Sequence, residues 1–174
     1  MSQIQELEAK LQTATKEERV DVLNQLSYAL FRSDPSQAED YGHQALSLAS
    51  SLDYTKGVAD AYNMVGLLKG VKGEYADAIQ ACNQALNLYE QLKDTRGLAN
   101  AILRMGTFYH YQSEYDQALE CYKRSLSYFE HLGDYNRISG CYDNMGAIYR
   151  AQGDYDLALT YYQRSLGIKK NLGD

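Results

Sequence analysis

A step of 40 residues constrains this chain more than any other feature of its sequence. GLLKGVKGEYADAIQACNQAL from Gly66 recurs as GTFYHYQSEYDQALECYKRSL from Gly106 and as GAIYRAQGDYDLALTYYQRSL from Gly146. Gly66, Gly106 and Gly146 stay in phase, as do Tyr75, Tyr115 and Tyr155, then Ala78, Ala118 and Ala158, then Leu86, Leu126 and Leu166. A period of this length with small and aromatic residues in register is the mark of stacked helical repeats. Each unit of such an array buries its apolar face against its neighbours rather than in one central core.

The order of the chain supplies the helices. Ile4, Leu7 and Leu11 have helical spacing over residues 3–12 and predict a short amphipathic helix that caps the first repeat. Thr15 and Glu18 have the spacing of a capping box. The helix that follows carries Val20, Leu23, Leu26 and Leu30 to about Phe31. Asp34-Pro35 then stops the chain and restarts it, as N-cap and first helical residue, for a helix ending near Leu52. Three regular pairs follow: about 55–69 with 74–92, 95–111 with 114–132, and 135–151 with 154–172. Gly73, Ser113 and Gly153 mark the turns inside these pairs. Glu74, Glu114 and Asp154 then meet the positive end of each second helix. Connections this short make neighbouring helices antiparallel. The domain reading is a capping helix in 1–14 and four repeats in 15–174, at about 15–54, 55–94, 95–134 and 135–174.

Gly in mid-helix costs about 1 kcal/mol relative to Ala. Its recurrence at 66, 106 and 146 implies a close approach of the second helix, with Ala78, Ala118 and Ala158 as the facing surface. Tyr62, Tyr109, Tyr122, Tyr142, Tyr149 and Tyr162 are expected in the seams between pairs.

These residues resemble the tetratricopeptide repeat. Its small positions are matched by Gly66, Ala78 and Ala85, by Gly106, Ala118 and Ser125, and by Gly146, Ala158 and Ser165. Ile102 and Lys69 depart from it in aromatic slots, and no proline closes the second helices. The usual period is 34 residues. The longer step, with its LGD junctions, is similar to arrays in bacterial signalling proteins. The resemblance covers about residues 17–174 and implies an all-α, right-handed α-solenoid of helix-turn-helix repeats acting as a scaffold.

In that fold the first helix of each pair, helix A, lines the concave surface. The inward positions are Asn24, Tyr28, Asn63, Leu67, Asn100, Leu103, Arg104, Thr107, His110, Tyr111, Asp143, Asn144, Ala147 and Arg150. Asparagine amides both donate to and accept from a peptide backbone, and Arg104 and Arg150 can fork onto carboxylates. The expected ligand is an extended or helical peptide with an acidic component. A gating peptide that changes the superhelix, or a self-assembling array, is the alternative. A chaperone-tail clamp of the pattern Lys-Asn-Asn-Lys-Arg would fall on Asn24, Tyr28, Met64, Asn100 and Arg104, of which only Arg104 fits.

No catalytic constellation appears. His43, His110 and His131 have no metal-ligand spacing with each other or with Cys82, Cys121 and Cys141, and no phosphate loop or nucleophile elbow is present. Neither an enzyme nor a cofactor is expected. The net charge is -6 with no basic footprint, which argues against nucleic acid. No apolar run is long enough to span a membrane. Three cysteines in helical positions suit reduced thiols and a soluble, cytoplasmic setting. Leu159, Tyr162, Leu166 and Ile168 on the final pair are expected to leave apolar surface exposed near Asp174, as in a fragment of a longer protein or an edge that pairs with a second copy.

Overall fold

The computed structural model describes residues 2–173, so that Met1 and Asp174, the outer limits of the expected domains, lie outside the described residues. These residues form nine helices and no strand. They divide into two compact units between Asp94 and Thr95.

The first unit contains α1 (Gln3–Thr13), α2 (Lys16–Leu30), α3 (Pro35–Ser51), α4 (Thr55–Val71) and α5 (Tyr75–Leu92). Helix α1 starts at a capping box, in which Ser2 and Gln5 exchange side-chain and backbone hydrogen bonds. Its Leu11, with Ile4 and Leu7, packs into a core shared with Val22, Leu23, Leu26, Ala45 and Ala61. The box expected at Thr15 does not form, because Thr15 makes no side-chain capping bond. Glu18 turns instead to Lys10 of α1 at 3.3 Å, and Lys16 enters the helix with φ 50°. The Asp34-Pro35 junction forms as the sequence indicates, with Asp34 accepting from the Gln37 N–H at 3.0 Å.

The second unit contains α6 (Thr95–Tyr111), α7 (Tyr115–Leu132), α8 (Tyr135–Ala151) and α9 (Tyr155–Leu172). Glu74, Glu114 and Asp154 occupy N-caps rather than first turns, and of these only Asp154 bonds through its side chain, to the Leu157 N–H. The junction from α7 to α8 is held by Asp134, which caps α8 through the Arg137 N–H and forms an ion pair with Arg96 of α6.

The expected close approach is present; Ala78 lines it, its carbonyl 3.1 Å from a Cβ on Gly66, but in the later pairs a tyrosine comes nearest. A Cβ on Gly106 would lie 2.7 Å from the Tyr122 ring and 3.0 Å from the Cys121 Cβ. On Gly146 it would meet the Tyr162 ring at 2.8 Å, and on Gly66 the Cys82 Sγ at 2.7 Å. Neither Ala118 nor Ala158 is the nearest surface. Tyr122 and Tyr162, expected between pairs, fill the crossing inside their own pair. Tyr122 also joins a cluster with Met145 and Ile148 of α8, on which Tyr109, Tyr142 and Tyr149 pack. Ser125 completes the α6–α7 contact by donating to the Ala99 carbonyl at 2.8 Å. In the first pair the sizes are exchanged: Gly42 on α3 faces Ser27 of α2, whose hydroxyl donates to the Ala38 carbonyl at 2.7 Å.

Three stability outcomes follow from this geometry. Gly106→Ala is expected to lower stability by about 1–2 kcal/mol, since overpacking exceeds the helix-propensity gain. Gly140→Ala on α8, where a Cβ meets nothing within 4 Å, is expected to raise it by about 1 kcal/mol. Lys93 holds the left-handed C-cap of α5 at φ 55°, the role that Gly133 fills after α7. Lys93→Gly therefore stabilises by up to about 1 kcal/mol. Urea unfolding followed by circular dichroism measures all three.

Candidate functional site

The groove-facing positions derive from one stripe of each helix A, so the site is built separately within each unit. In the first unit α2 and α4 lie side by side. Asn24 of α2 is only 7% exposed, and its Nδ2 donates to the Gly57 carbonyl of α4 at 3.3 Å. This amide is committed to joining the two repeats and does not offer a free donor to a ligand. The Oδ1 atoms of Asn24 and of Asn63, its counterpart on α4, are buried and accept no hydrogen bond from the described residues.

Behind this stripe, two acidic side chains hold tyrosines. Tyr89 of α5 donates to Asp60 Oδ1 at 2.7 Å, and Tyr54 donates to Asp21 Oδ1 at 3.1 Å. Burial, then the Asp60 charge, pushes the Tyr89 hydroxyl well above its ordinary value, while the Asn63 amide pulls the other way. Tyr54 is pushed up to about 12 by burial and by Asp21. At the outer end of the stripe Tyr28 is 49% exposed and stacks on Phe31 at 5.5 Å, with the Arg32 guanidinium over the Phe31 ring. Leu67 is half-buried, and one turn on, Val71 is exposed. Phe31 and Val71 were not among the sequence candidates. Their spacing of three and four residues from Tyr28 and Leu67 was the available signal.

In the second unit α6 and α8 are neighbours. Several candidates prove to be engaged in their own scaffold. Asn100 donates to the Arg96 carbonyl one turn back at 2.9 Å. Thr107 donates to the Leu103 carbonyl and accepts the Tyr122 hydroxyl at 3.5 Å. Asp143 pairs with Lys169 of α9 at 2.6 Å, which removes it as an isolated acid. Arg104, Asn144, Leu103 and Ala147 are half-buried.

His110 is half-buried in the last turn of α6, and Arg150 is exposed in the last turn of α8. Burial, then the Arg150 charge, holds the His110 imidazole below its ordinary value. The imidazole lies between Tyr111, stacked at 6.0 Å, and the edge of Tyr115 at 6.1 Å. Tyr111 is 63% exposed. Arg104 and His110 are six residues apart, so they point about 120° from each other around α6.

Cys82, Cys121 and Cys141 are buried and form no disulfide. Burial raises the thiols of Cys121 and Cys141 to about 11, which disfavours the thiolate. Among the described residues no group of three His, Cys, Asp or Glu side chains could hold a metal ion. No helix among them is long and apolar enough to cross a membrane.

Pairs of helices repeating every 40 residues, with a glycine at each crossing and a polar stripe on helix A, define a helix-turn-helix repeat protein. The tetratricopeptide repeat model matches residues 57–130 and again 97–171, which together span more than half of the sequence. The chain belongs to the tetratricopeptide repeat family. No curated protein matches it. Among solved structures, aspartyl phosphate phosphatase F from Bacillus subtilis is similar at a TM-score of 0.84 and 20% identity, covering 98% of this chain and 45% of that one. BtubC (BKLC) from P. vanneervenii is similar at 0.78 and 19%, covering 98% and 72%. The signal transduction ATPase with numerous domains and a tetratricopeptide repeat sensor from Pyrococcus horikoshii is similar at 0.77 and 14%, covering 95% and 26%. At these identities the likeness is one of fold.

The Asp-bound tyrosines and the two thiols set an alkaline limit. Their folded values lie above the unfolded ones, so the stability they contribute is complete below the unfolded values and falls as pH rises through the folded ones. The melting temperature is expected to fall from about pH 9 for the thiols, and from about pH 10 towards the Tyr54 value of about 12 for the tyrosines. Tyr54→Phe and Tyr89→Phe should melt lower than the parent at pH 8, yet fall less steeply above pH 10. A series of circular dichroism melts over that range reads both effects.

Proposed function

We propose that this chain is a non-catalytic scaffold that binds a protein or peptide along the groove-facing stripes of its A helices. The working unit is read as four repeats within residues 15–174 behind a capping helix within 1–14. The observation that carries this is the exposed apolar pair Tyr28 and Val71, on the neighbouring helices α2 and α4. Exposed apolar side chains of this kind offer contact area to a partner. The basic groups Arg104, His110 and Arg150 give the second unit an affinity for acidic side chains.

The family supports an interaction role, because tetratricopeptide repeats serve as scaffolds. The signalling setting, as a sensory or adaptor region of a larger bacterial protein, draws its support from the repeat sensor of the Pyrococcus horikoshii ATPase and from the Bacillus subtilis phosphatase. Three buried thiols fit a reducing, cytoplasmic compartment. The net charge of -6 without a basic face speaks for a protein partner rather than nucleic acid. One observation favours a second reading: Leu159 and Leu166 of α9 are more than half exposed, which suits self-association.

The test is a pull-down from bacterial lysate with the parent chain and an Asn63→Ala, Arg104→Ala, Asn144→Ala variant of matched helical content. Loss of a specific partner from the variant is expected. Equal retention sinks the groove reading. Concentration-dependent sedimentation that Leu159→Glu abolishes establishes the second reading.

A further inference from the structure

Helix α9 carries a stripe whose counterpart one repeat earlier lies under a neighbouring helix. Tyr115, Leu119, Tyr122 and Leu126 of α7 follow at steps of four, three and four residues, and Tyr155, Leu159, Tyr162 and Leu166 of α9 repeat them 40 positions on. On α7 the stripe is covered by α8. Leu119 and Tyr122 share a core with Met145 and Ile148, and Leu126 packs against Ile138 and Cys141. Leu119 is 8% exposed and Tyr122 is fully buried. On α9 the exposures reverse, to 71% for Tyr155, 56% for Leu159 and 51% for Leu166. Tyr162 is half-buried, since one side of its ring lies against Gly146. The buried residues of α9 are Ala158 and Ser165, and its packing neighbour is α8.

We propose that this stripe of α9 is a homodimer interface, on which α9 of a second copy packs antiparallel. This rests on the self-association reading and deepens it by naming the partner element and its direction. Steps of four and three residues keep one seam of a helix against another helix. The four side chains are uncharged, so closing the seam buries no unpaired charge. Their spacing reads the same from either end. An antiparallel copy therefore sets Tyr155 on Leu166 and Leu159 on Tyr162, with no position facing a gap. A two-fold interface requires that kind of self-complementarity. Charge fixes the direction. Asp154 and Asp156 lie at the start of α9, and Lys169 and Lys170 lie in its last turn. Asp154 caps the helix and Lys169 pairs with Asp143. Asp156 and Lys170 form no ion pair with any described residue. An antiparallel partner brings the acidic end of each helix to the basic end of the other and opposes the two helix dipoles. A parallel partner sets like charge on like.

Sedimentation equilibrium of the full chain over a wide concentration range tests this. The expected result is a monomer–dimer equilibrium with no larger species, because a two-fold interface closes on itself. Leu159→Glu places a charge in the seam twice per dimer and raises the dissociation constant roughly a hundredfold or more. Leu166→Ala, which adds no charge, raises it roughly tenfold. Circular dichroism confirms that each variant keeps its helices. The charged ends read the direction. Asp156→Lys and Lys170→Asp each set like charges together in an antiparallel homodimer and weaken it roughly three- to tenfold. An equimolar mixture of the two, and the double exchange in one chain, return to the parental affinity. High salt removes these differences. A chain that stays monomeric at every concentration, species that keep growing with concentration, or a dimer indifferent to Leu159→Glu overturns the interface. A dimer lost on Leu159→Glu but unmoved by Asp156→Lys and Lys170→Asp overturns the antiparallel pairing and leaves self-association standing. A mixture tighter than the parent points to parallel helices and overturns the pairing as well. The groove reading is separated by the lysate partner, whose capture Leu159→Glu leaves unchanged.

Discussion

Each helix pair among the described residues has a crossing at which one of two facing residues lacks a side chain, and in the last three pairs a Cβ there would lie within 3.0 Å of its neighbour. The sequence meets this demand in three ways. Ser27 faces Gly42, Gly66 faces Cys82, and Gly106 and Gly146 face Tyr122 and Tyr162. Closely packed interiors have no slack to absorb an extra methyl group on both sides. The helix on which the glycine sits is free to change, but its presence is not. The remaining contacts of a pair, such as the Ser125 hydroxyl on the Ala99 carbonyl, depend on the separation that this crossing sets.

That constraint was legible where it repeats and hidden where it is inverted. The register of Gly66, Gly106 and Gly146 identified the pairs, and the helix limits agree with the pattern to within about two residues. The partner was misassigned because Ala118 and Ala158 are also in phase, and periodicity cannot distinguish which of two in-phase residues points at a third. In the first pair Ser27 replaces the expected glycine while Gly42 replaces the bulky residue. Each looks like an isolated departure until the helices are laid against each other. The capping box at Thr15 failed for a different reason. Glu18 has a cation within reach on α1, and a sequence window of four residues contains no information about Lys10.

The candidate stripe was easier to draw than to interpret. Helical spacing places Asn24, Asn63, Thr107 and Asp143 on the first helix of each pair, where the structure has them, but it is silent about what each side chain already does. Asn24 joins α2 to α4, Thr107 is occupied with the Leu103 carbonyl and the Tyr122 hydroxyl, and Asp143 is balanced by Lys169. What remains accessible is a narrower set, with the exposed Tyr28 and Val71 in the first unit and the exposed Arg150 in the second.

The bond from the Tyr122 hydroxyl to Thr107 has a mechanical meaning. Tyr122 has its ring wedged against Gly106, fully out of solvent, while its hydroxyl ends on a residue of the groove-facing stripe. One phenol thus touches both the crossing glycine and Thr107 on the outer side of α6. Packing and surface in this repeat share a side chain, so neither is an independent variable.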